Sequence, residues 1–128
     1  MTLTELLPLV EGTLLTQQST EARDVSAGYV CDLLSWVMAR GKPGMAWVTV
    51  QTHLNVVAVA SLHEMACIIL PEDIRMEGAP LSKAQEAGIA VITSPLTAYD
   101  ICARMAQAGV TFLGGCCGTT PEHMAAVK

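Results

Sequence analysis

The chain has 128 residues, of which 52% are hydrophobic and only 15% are charged, and its net charge is −5. This length and composition indicate one compact domain and exclude a disordered chain or a coiled coil, since both classes are richer in charged residues. No apolar run approaches the roughly 20 residues that span a bilayer, and no Lys or Arg precedes the first apolar residues, as a secretory signal would require. We therefore expect a cytoplasmic protein that has no membrane partner.

In chain order, the spacing of apolar and turn residues predicts a helix over residues 2–10, a short strand over 13–16, a helix over 31–40, a strand over 46–51, a strand over 67–70, a helix over 80–87, a strand over 90–93 and a helix over 97–108. The first helix begins with a capping box formed by Thr2 and Glu5. Residues 54–65 leave two structures open, because the valines favour a strand whereas the alanines, and Asn55 as an N-cap, favour a helix. Short strands that alternate with helices predict a small α/β domain, in which a largely parallel sheet is flanked by helices.

The charge and cysteine content restrict the partners of the chain. Its basic residues are scattered, which argues against nucleic acid as a partner because binding nucleic acid needs a basic face. The odd number of cysteines indicates free thiols in a reducing compartment. Three of the five stand singly among apolar residues and are predicted to be buried: Cys31, Cys67 and Cys102.

The apolar excess also favours an oligomer, since a monomer of this size buries only about 65–70% of the surface that its unfolded chain exposes. Four large side chains are predicted to lie in the core or at an interface: Trp36, Met38, Trp47 and Met65. His63 is predicted to lie on the surface of a helix.

Three stretches of the chain resemble DRTGG domains, which are related to the N-terminal domain of HPr kinase/phosphorylase: RDVSAGYVCDLLS at residues 23–35, AWVTVQTHLNVVAVASLHEMACIIL at 46–70 and AGIAVITSPLTAYDIC at 87–102. The resemblance covers about residues 1–110 and implies a compact α/β fold with a helix over residues 54–65. It also implies a regulatory or ligand-sensing role, a homodimer and, as in some pyrophosphatases, adenine-nucleotide binding. The chain departs from the family signature, because Asp24-Val25-Ser26-Ala27-Gly28 stands where the family has Asp-Arg-Thr-Gly-Gly.

Phosphotransfer chemistry is not expected from this sequence. A phosphate-binding loop of the type Gly-x-x-x-x-Gly-Lys-Ser/Thr is absent, since Gly41-Lys42 is followed by Pro43. The resemblance therefore implies a non-catalytic domain, because the kinase chemistry of HPr kinase resides in a separate domain.

Polar residues near the ends of the predicted strands are the candidate ligand groups. The first set lies in the signature region: Asp24, Ser26, Gly28, Tyr29 and Asp32. The second set follows the strand at 46–51 and consists of Thr52, His53 and Asn55, with Gln51 beside them. In an open α/β sheet, ligands bind beyond the carboxyl ends of strands, and the N–H groups at a helix start favour phosphate. Alternatively, Asn55 caps a helix, Thr52 and His53 bond the local backbone and Asp24 forms a turn.

Residues 109–128, GVTFLGGCCGTTPEHMAAVK, closely resemble the C-terminal motif of homocysteine S-methyltransferase domains. The resemblance implies that Cys116 and Cys117 are two of three zinc thiolates at the mouth of a (β/α)₈ barrel. Such a barrel needs about 250 residues, so the chain is too short to form one. A third ligand would come from Cys31, Cys67, Cys102 or His123.

These features divide the chain into a DRTGG-like domain at residues 1–108 and a tail at 109–128, where we expect a short strand over 110–113, a glycine turn and a helix from Thr120. Three functions stay open. The first is a non-catalytic regulatory or nucleotide-binding domain, and the second is a zinc- or thiol-binding fragment related to the methyltransferases. The third is an interaction module that docks on a larger enzyme.

Overall fold

The computed structural model describes residues 1–17 and 24–115, and in them helices alternate with strands. The elements are α1 (Leu3–Leu9), β1 (Thr13–Leu14), β2 (Ala27–Val30), α2 (Leu34–Arg40), β3 (Met45–Val48), α3 (Leu54–Leu62), β4 (Cys67–Leu70), α4 (Gly78–Ala87), β5 (Ala90–Thr93), α5 (Ala98–Gln107) and β6 (Phe112–Gly115). The predicted fold class, a largely parallel sheet flanked by helices, is confirmed. None of the helices in the described part of the chain is both long and apolar enough to cross a membrane.

The strands form one open sheet in the order β1-β5-β4-β3-β2-β6. All neighbouring strands are parallel except β1, which runs antiparallel to β5. The chain moves along the sheet from β2 to β5, and then α5 carries it back to place β6 on the other side of β2. The strand order therefore reverses between β2 and β6, which is the position where open α/β sheets bind ligands at their carboxyl edge.

Alternate side chains of the central strands point to opposite faces of the sheet, as the two-residue period of a strand requires. Ala46 and Val48 of β3 pack against α1 and α5, a side of the sheet that we call the α1–α5 face. Met45 and Trp47 pack against α2, α3 and α4, on the α2–α4 face. Each face thus has its own apolar core, and the sheet separates the two.

Helix starts differ between the two faces. On the α1–α5 face, Thr2 and Glu5 form the predicted capping box, and the Thr97 side chain accepts from the backbone N–H of Asp100 at the start of α5. The backbone N–H of Thr2 and, to a smaller extent, its hydroxyl donate hydrogen bonds to the exposed Glu5 carboxylate, and these bonds lower its pKa. On the α2–α4 face, none of the three helices has a side-chain cap bond.

Two details of the helix predictions are corrected. Residues 54–62 are helical, but the N-cap is His53, so the prediction that Asn55 caps this helix is wrong. The helix expected from residue 31 begins at Leu34, because the Cys31 N–H donates to the Val48 carbonyl at 3.3 Å and thereby extends the pairing of β2 with β3. Competition from this strand pairing delays the helix by three residues.

The large side chains separate into two groups. Trp47 and Met65 are fully buried, whereas Trp36 and Met38 on α2 are 42% and 52% exposed. The prediction that three cysteines are buried is confirmed for Cys31, Cys67 and Cys102.

His63 is not an ordinary surface residue, contrary to expectation. A Cβ added at Gly41 would come within 2.6 Å of the His63 ring, so the two residues are closely packed. The Nε2 atom of His63 is buried and has no hydrogen-bond partner in the described part of the chain. The missing side chain at Gly41 is what makes room for this imidazole.

Candidate ligand-binding site

A group of hydrogen-bonded side chains lies beyond the carboxyl ends of β2 and β3. The Oδ1 atom of Asp32 accepts from the Thr49 hydroxyl at 2.7 Å and from the Val50 backbone N–H at 2.9 Å. Bonds to a charged acceptor are stronger than neutral ones, so Asp32 fixes the first turn after β3. We call Asp32, Thr49, Gln51 and His53 the carboxyl-edge cluster.

Gln51 connects the remaining members of the cluster. Its backbone N–H donates to the Thr49 hydroxyl at 3.2 Å, and its side-chain amide donates to the Asp32 carbonyl at 3.3 Å. Its side-chain oxygen lies 3.0 Å from Nε2 of His53. Because an amide oxygen only accepts, this contact requires the His53 tautomer in which Nε2 carries the proton.

Buried contacts beneath the cluster hold it in place. The indole N–H of Trp47 donates to the Cys31 carbonyl at 2.8 Å in the core. The Thr49 N–H donates to the Ile69 carbonyl at 3.1 Å, which ties the turn to β4. These bonds place the backbone of Asp32 and Thr49 on a rigid part of the sheet.

The cluster leaves several groups open to a ligand. Within residues 1–17 and 24–115, both bonds to the Asp32 carboxylate fall on Oδ1, so Oδ2 remains available to accept. Helix α3 starts directly after His53, without a side-chain cap, and the Val56 N–H already donates to the His53 carbonyl at 3.0 Å. Within the described residues, the N–H groups of Leu54 and Asn55 therefore remain for an anion. The arrangement therefore offers an acceptor suited to a hydroxyl group beside donors suited to a phosphate.

The structure separates the residues that the sequence placed in one signature junction. Asp24 and Ser26 lie at the amino end of β2, at the opposite edge of the sheet from Asp32. The Ser26 hydroxyl donates to the Pro43 carbonyl at 3.1 Å. Asp24 borders an amino-edge cavity of about 580 Å³. The four-residue strand β2 separates the carboxylates of Asp24 and Asp32. Their closeness in the sequence does not reveal this separation.

Gly28 and Tyr29 were predicted to lie near a strand end, but both lie inside β2. The Phe112 ring occupies the space beside Gly28, where an added Cβ would come within 2.6 Å of the ring carbon Cζ. The Tyr29 side chain is buried in the core of the α2–α4 face. Both residues therefore have a packing role in the observed structure.

The second predicted set is brought together only in part. His53 belongs to the carboxyl-edge cluster, and the half-buried Thr52 directly precedes it. Asn55 instead borders an apolar groove of about 290 Å³ between α2 and α3. The sequence reasoning missed Thr49 and Val50, because both fall within the segment expected to be a strand. The signal that would have found them is the polar Thr49 near the end of that predicted strand.

The predicted zinc ligands Cys116 and Cys117 lie outside the described residues. Within the described ranges, no three side chains of the metal-ligating types lie close enough together to hold an ion. Burial raises the pKa of the Cys102 thiol to about 12, which opposes the thiolate form that zinc needs. Its burial thus makes Cys102 a poor candidate for the deprotonated third ligand.

The model of the family "Homocysteine S-methyltransferase" matches residues 36–128. The chain belongs to the homocysteine S-methyltransferase family. The match begins far upstream of residues 109–128, to which the sequence resemblance was limited, and includes most of the described sheet. A comparison with curated proteins gave no significant match.

The fold is shared with a solved structure of the CBS and DRTGG domains in the regulatory region of a Clostridium perfringens pyrophosphatase, complexed with its activator, diadenosine tetraphosphate. The TM-score is 0.67 at 16% sequence identity, and the match covers 84% of this chain and 46% of that one. This chain thus spans less than half the length of that structure. The likeness establishes that this member of the methyltransferase family has a DRTGG-like fold over its described residues.

Proposed function

We propose that the chain is a non-catalytic regulatory domain that binds an adenine nucleotide at the carboxyl-edge cluster. The observation that carries this proposal is the hydrogen-bonded network of Asp32, Thr49, Gln51 and His53 beside the start of α3. The shared fold with a nucleotide-bound regulatory region supports the choice of ligand class.

The phosphates and the ribose of a nucleotide each have a chemical counterpart at this edge. The N–H groups of Leu54 and Asn55 at the start of α3 suit the phosphates, since a helix N-terminus attracts anions. The open Oδ2 of Asp32 suits a ribose hydroxyl, because a carboxylate accepts a strong hydrogen bond from it. Phosphate placed directly against Asp32 would be repelled, so the ligand must present its sugar there.

Isothermal titration with ATP, ADP and diadenosine tetraphosphate tests this proposal. The Asp32→Ala variant removes both the acceptor and the bonds that order the turn, and it should weaken binding by about 10-fold or more. The matched control is Asp24→Ala, which removes an exposed carboxylate at the opposite edge and should leave affinity within about twofold. Absence of binding by folded wild-type protein at millimolar nucleotide contradicts the proposal, as does an equal effect of both variants.

The non-catalytic part of the proposal has a separate test. The pure chain should transfer no phosphate from radiolabelled ATP to itself or to added protein. Transfer that persists after repurification would show that the chain has a catalytic activity.

A second candidate is a zinc or thiol function of Cys116 and Cys117, favoured by the family match that extends to the end of the chain. Metal analysis of protein purified without chelator tests it. Stoichiometric zinc that is lost in Cys116→Ser and Cys117→Ser, and kept in a Cys102→Ser control, would support this candidate. Absence of zinc from the wild-type protein would remove it.

A further inference from the structure

The carboxyl edge of the sheet is acidic over the part of the chain that the structure describes. Four connections at this edge join a parallel strand to the helix that follows it, over residues 31–33, 49–53, 71–77 and 94–97. Together they carry four exposed carboxylates and one exposed guanidinium: Asp32, Glu72, Asp73, Glu77 and Arg75. The edge at which we propose that an anion binds therefore has a net negative charge of its own.

Basic residues near β3 do not offset this charge. No Lys or Arg stands between Pro43 and Ile74, the segment that contains β3, α3 and β4. Arg40 ends α2 and Lys42 precedes β3, so both lie at the amino edge. Charges interact over about 30 Å at 0.01 M salt, whereas neighbouring strands are only about 4.8 Å apart. At low salt, the carboxylates of this edge therefore act on an anion bound beside β3.

The donors that α3 offers to a phosphate are few. Only the N–H groups of Leu54 and Asn55 remain, since the Val56 N–H already donates to the His53 carbonyl. One phosphate group has three acceptor oxygens and can use both donors. Each further phosphate adds about one negative charge without a further N–H group of the first turn to bind it.

From the acidic edge, the lack of basic residues around β3 and the two available donors, we infer that this site selects adenine nucleotides with a single phosphate over those with several. The inference rests on the proposed function, because it concerns the same site. A monophosphate uses the two donors and leaves its ribose hydroxyls for Oδ2 of Asp32. A metal-free polyphosphate places additional negative charge at an edge that is already negative, and a bound divalent cation removes part of this penalty.

Isothermal titration of the full chain at low salt with AMP, ADP and ATP, each in the presence of a chelator, tests this inference. AMP should bind at least about 10-fold more tightly than ATP, and ADP should lie between them. Added magnesium should narrow the difference, because it neutralises charge on the polyphosphate. High salt should narrow it as well, since it screens the exposed carboxylates.

Removal of single charges from the edge should shift the preference toward ATP. Glu72→Gln and Asp73→Asn change exposed residues outside the carboxyl-edge cluster, and each should lower the ratio of AMP affinity to ATP affinity by about twofold at low salt. The matched control is Glu86→Gln, which removes an exposed carboxylate at the other end of α4, near the amino edge, and should leave the ratio unchanged. The circular dichroism of all three variants should match the wild type, because the altered side chains are exposed.

The outcomes separate this inference from the function on which it rests. Metal-free ATP that binds as tightly as AMP would overturn the inference and leave the proposed function intact. An equal shift in Glu72→Gln and Glu86→Gln would also overturn it, since the net charge of the whole chain would then set the preference. Failure of all three nucleotides to bind folded protein at millimolar concentration would contradict the proposed function and this inference with it.

Discussion

On the α1–α5 face, both helices begin with a side-chain cap, from Thr2 and Thr97. An ion pair of 3.2 Å joins Arg104 of α5 to Glu11, which follows α1. On the α2–α4 face, the residues that precede the three helices make no cap bond. The same face exposes the apolar side chains of Trp36, Met38 and Leu62.

This difference shows that the helices on the two faces of one small sheet can be held in place by different interactions. Local bonds satisfy the helix starts of the α1–α5 face. On the α2–α4 face, burial of apolar side chains has to supply the stability.

The largest effect is expected from Phe112→Ala, which removes the ring that fills the space beside Gly28. Phe112 is 4% exposed, and replacing a buried Phe by Ala costs about 3–5 kcal/mol. Urea denaturation should show a loss of this size at every protein concentration. A cost below about 1 kcal/mol would contradict the view that this face is a completed core.

The Cys102 thiol should react much more slowly in the folded protein than in urea. Burial raises its pKa from 9.0 to about 12, so its thiolate fraction near neutral pH falls by about 1,000-fold. Because the unfolded chain then loses this proton first, the free energy of unfolding should fall as pH rises between these two values.

Alkylation followed by peptide mapping measures the rate at Cys102, and urea denaturation above and below pH 9 measures the stability. Fast labelling of Cys102 in folded protein would be inconsistent with its burial. A Cys102→Ala variant should lose the part of the pH dependence that this thiol causes.

The cap difference between the faces predicts unequal effects of two similar substitutions. Thr97→Ala removes the bond to the Asp100 N–H and should cost about 1 kcal/mol. Glu77→Ala changes the exposed residue before α4, which makes no cap bond, and should change stability by less than about 0.5 kcal/mol. Thermal unfolding of both variants measures the difference, and equal costs would remove the distinction between the two faces.

The smallest effect is expected from Glu11→Gln, which breaks the ion pair with Arg104. Both side chains are about half exposed, and such pairs contribute at most about 1 kcal/mol. The loss should vanish in high salt because salt screens exposed charges. A cost that persists in high salt would point to a contribution of Glu11 other than its charge.

The sequence predicts the short apolar strands β4 and β5 better than the start of α2. Residues 67–70 and 90–93 are strands with the predicted bounds, because both are short apolar runs bounded by turn residues. The predicted start of α2 is three residues too early, since the pairing of Cys31 with β3 is a contact between distant parts of the chain. Local patterns contain no information about such a contact.

The candidate site was predicted only in part for the same reason. Asp32 and His53 were named from the sequence, and the structure brings them into one network through Gln51. Asp24 was grouped with Asp32 because it is close in sequence, whereas β2 separates them by its whole length. The direction of a strand decides which edge a flanking residue occupies, and sequence proximity does not show it.

Strand β1 has only two residues, Thr13 and Leu14, and it pairs antiparallel to β5 at one edge of the sheet. Its short length leaves little unpaired backbone there for another strand to join, which protects the sheet from edge-to-edge aggregation. At the opposite edge, no further strand of the described chain lies beyond β6. Among the described residues, the sheet therefore ends in a two-residue strand on one side and a four-residue strand on the other, so its two sides differ in the length of backbone they present.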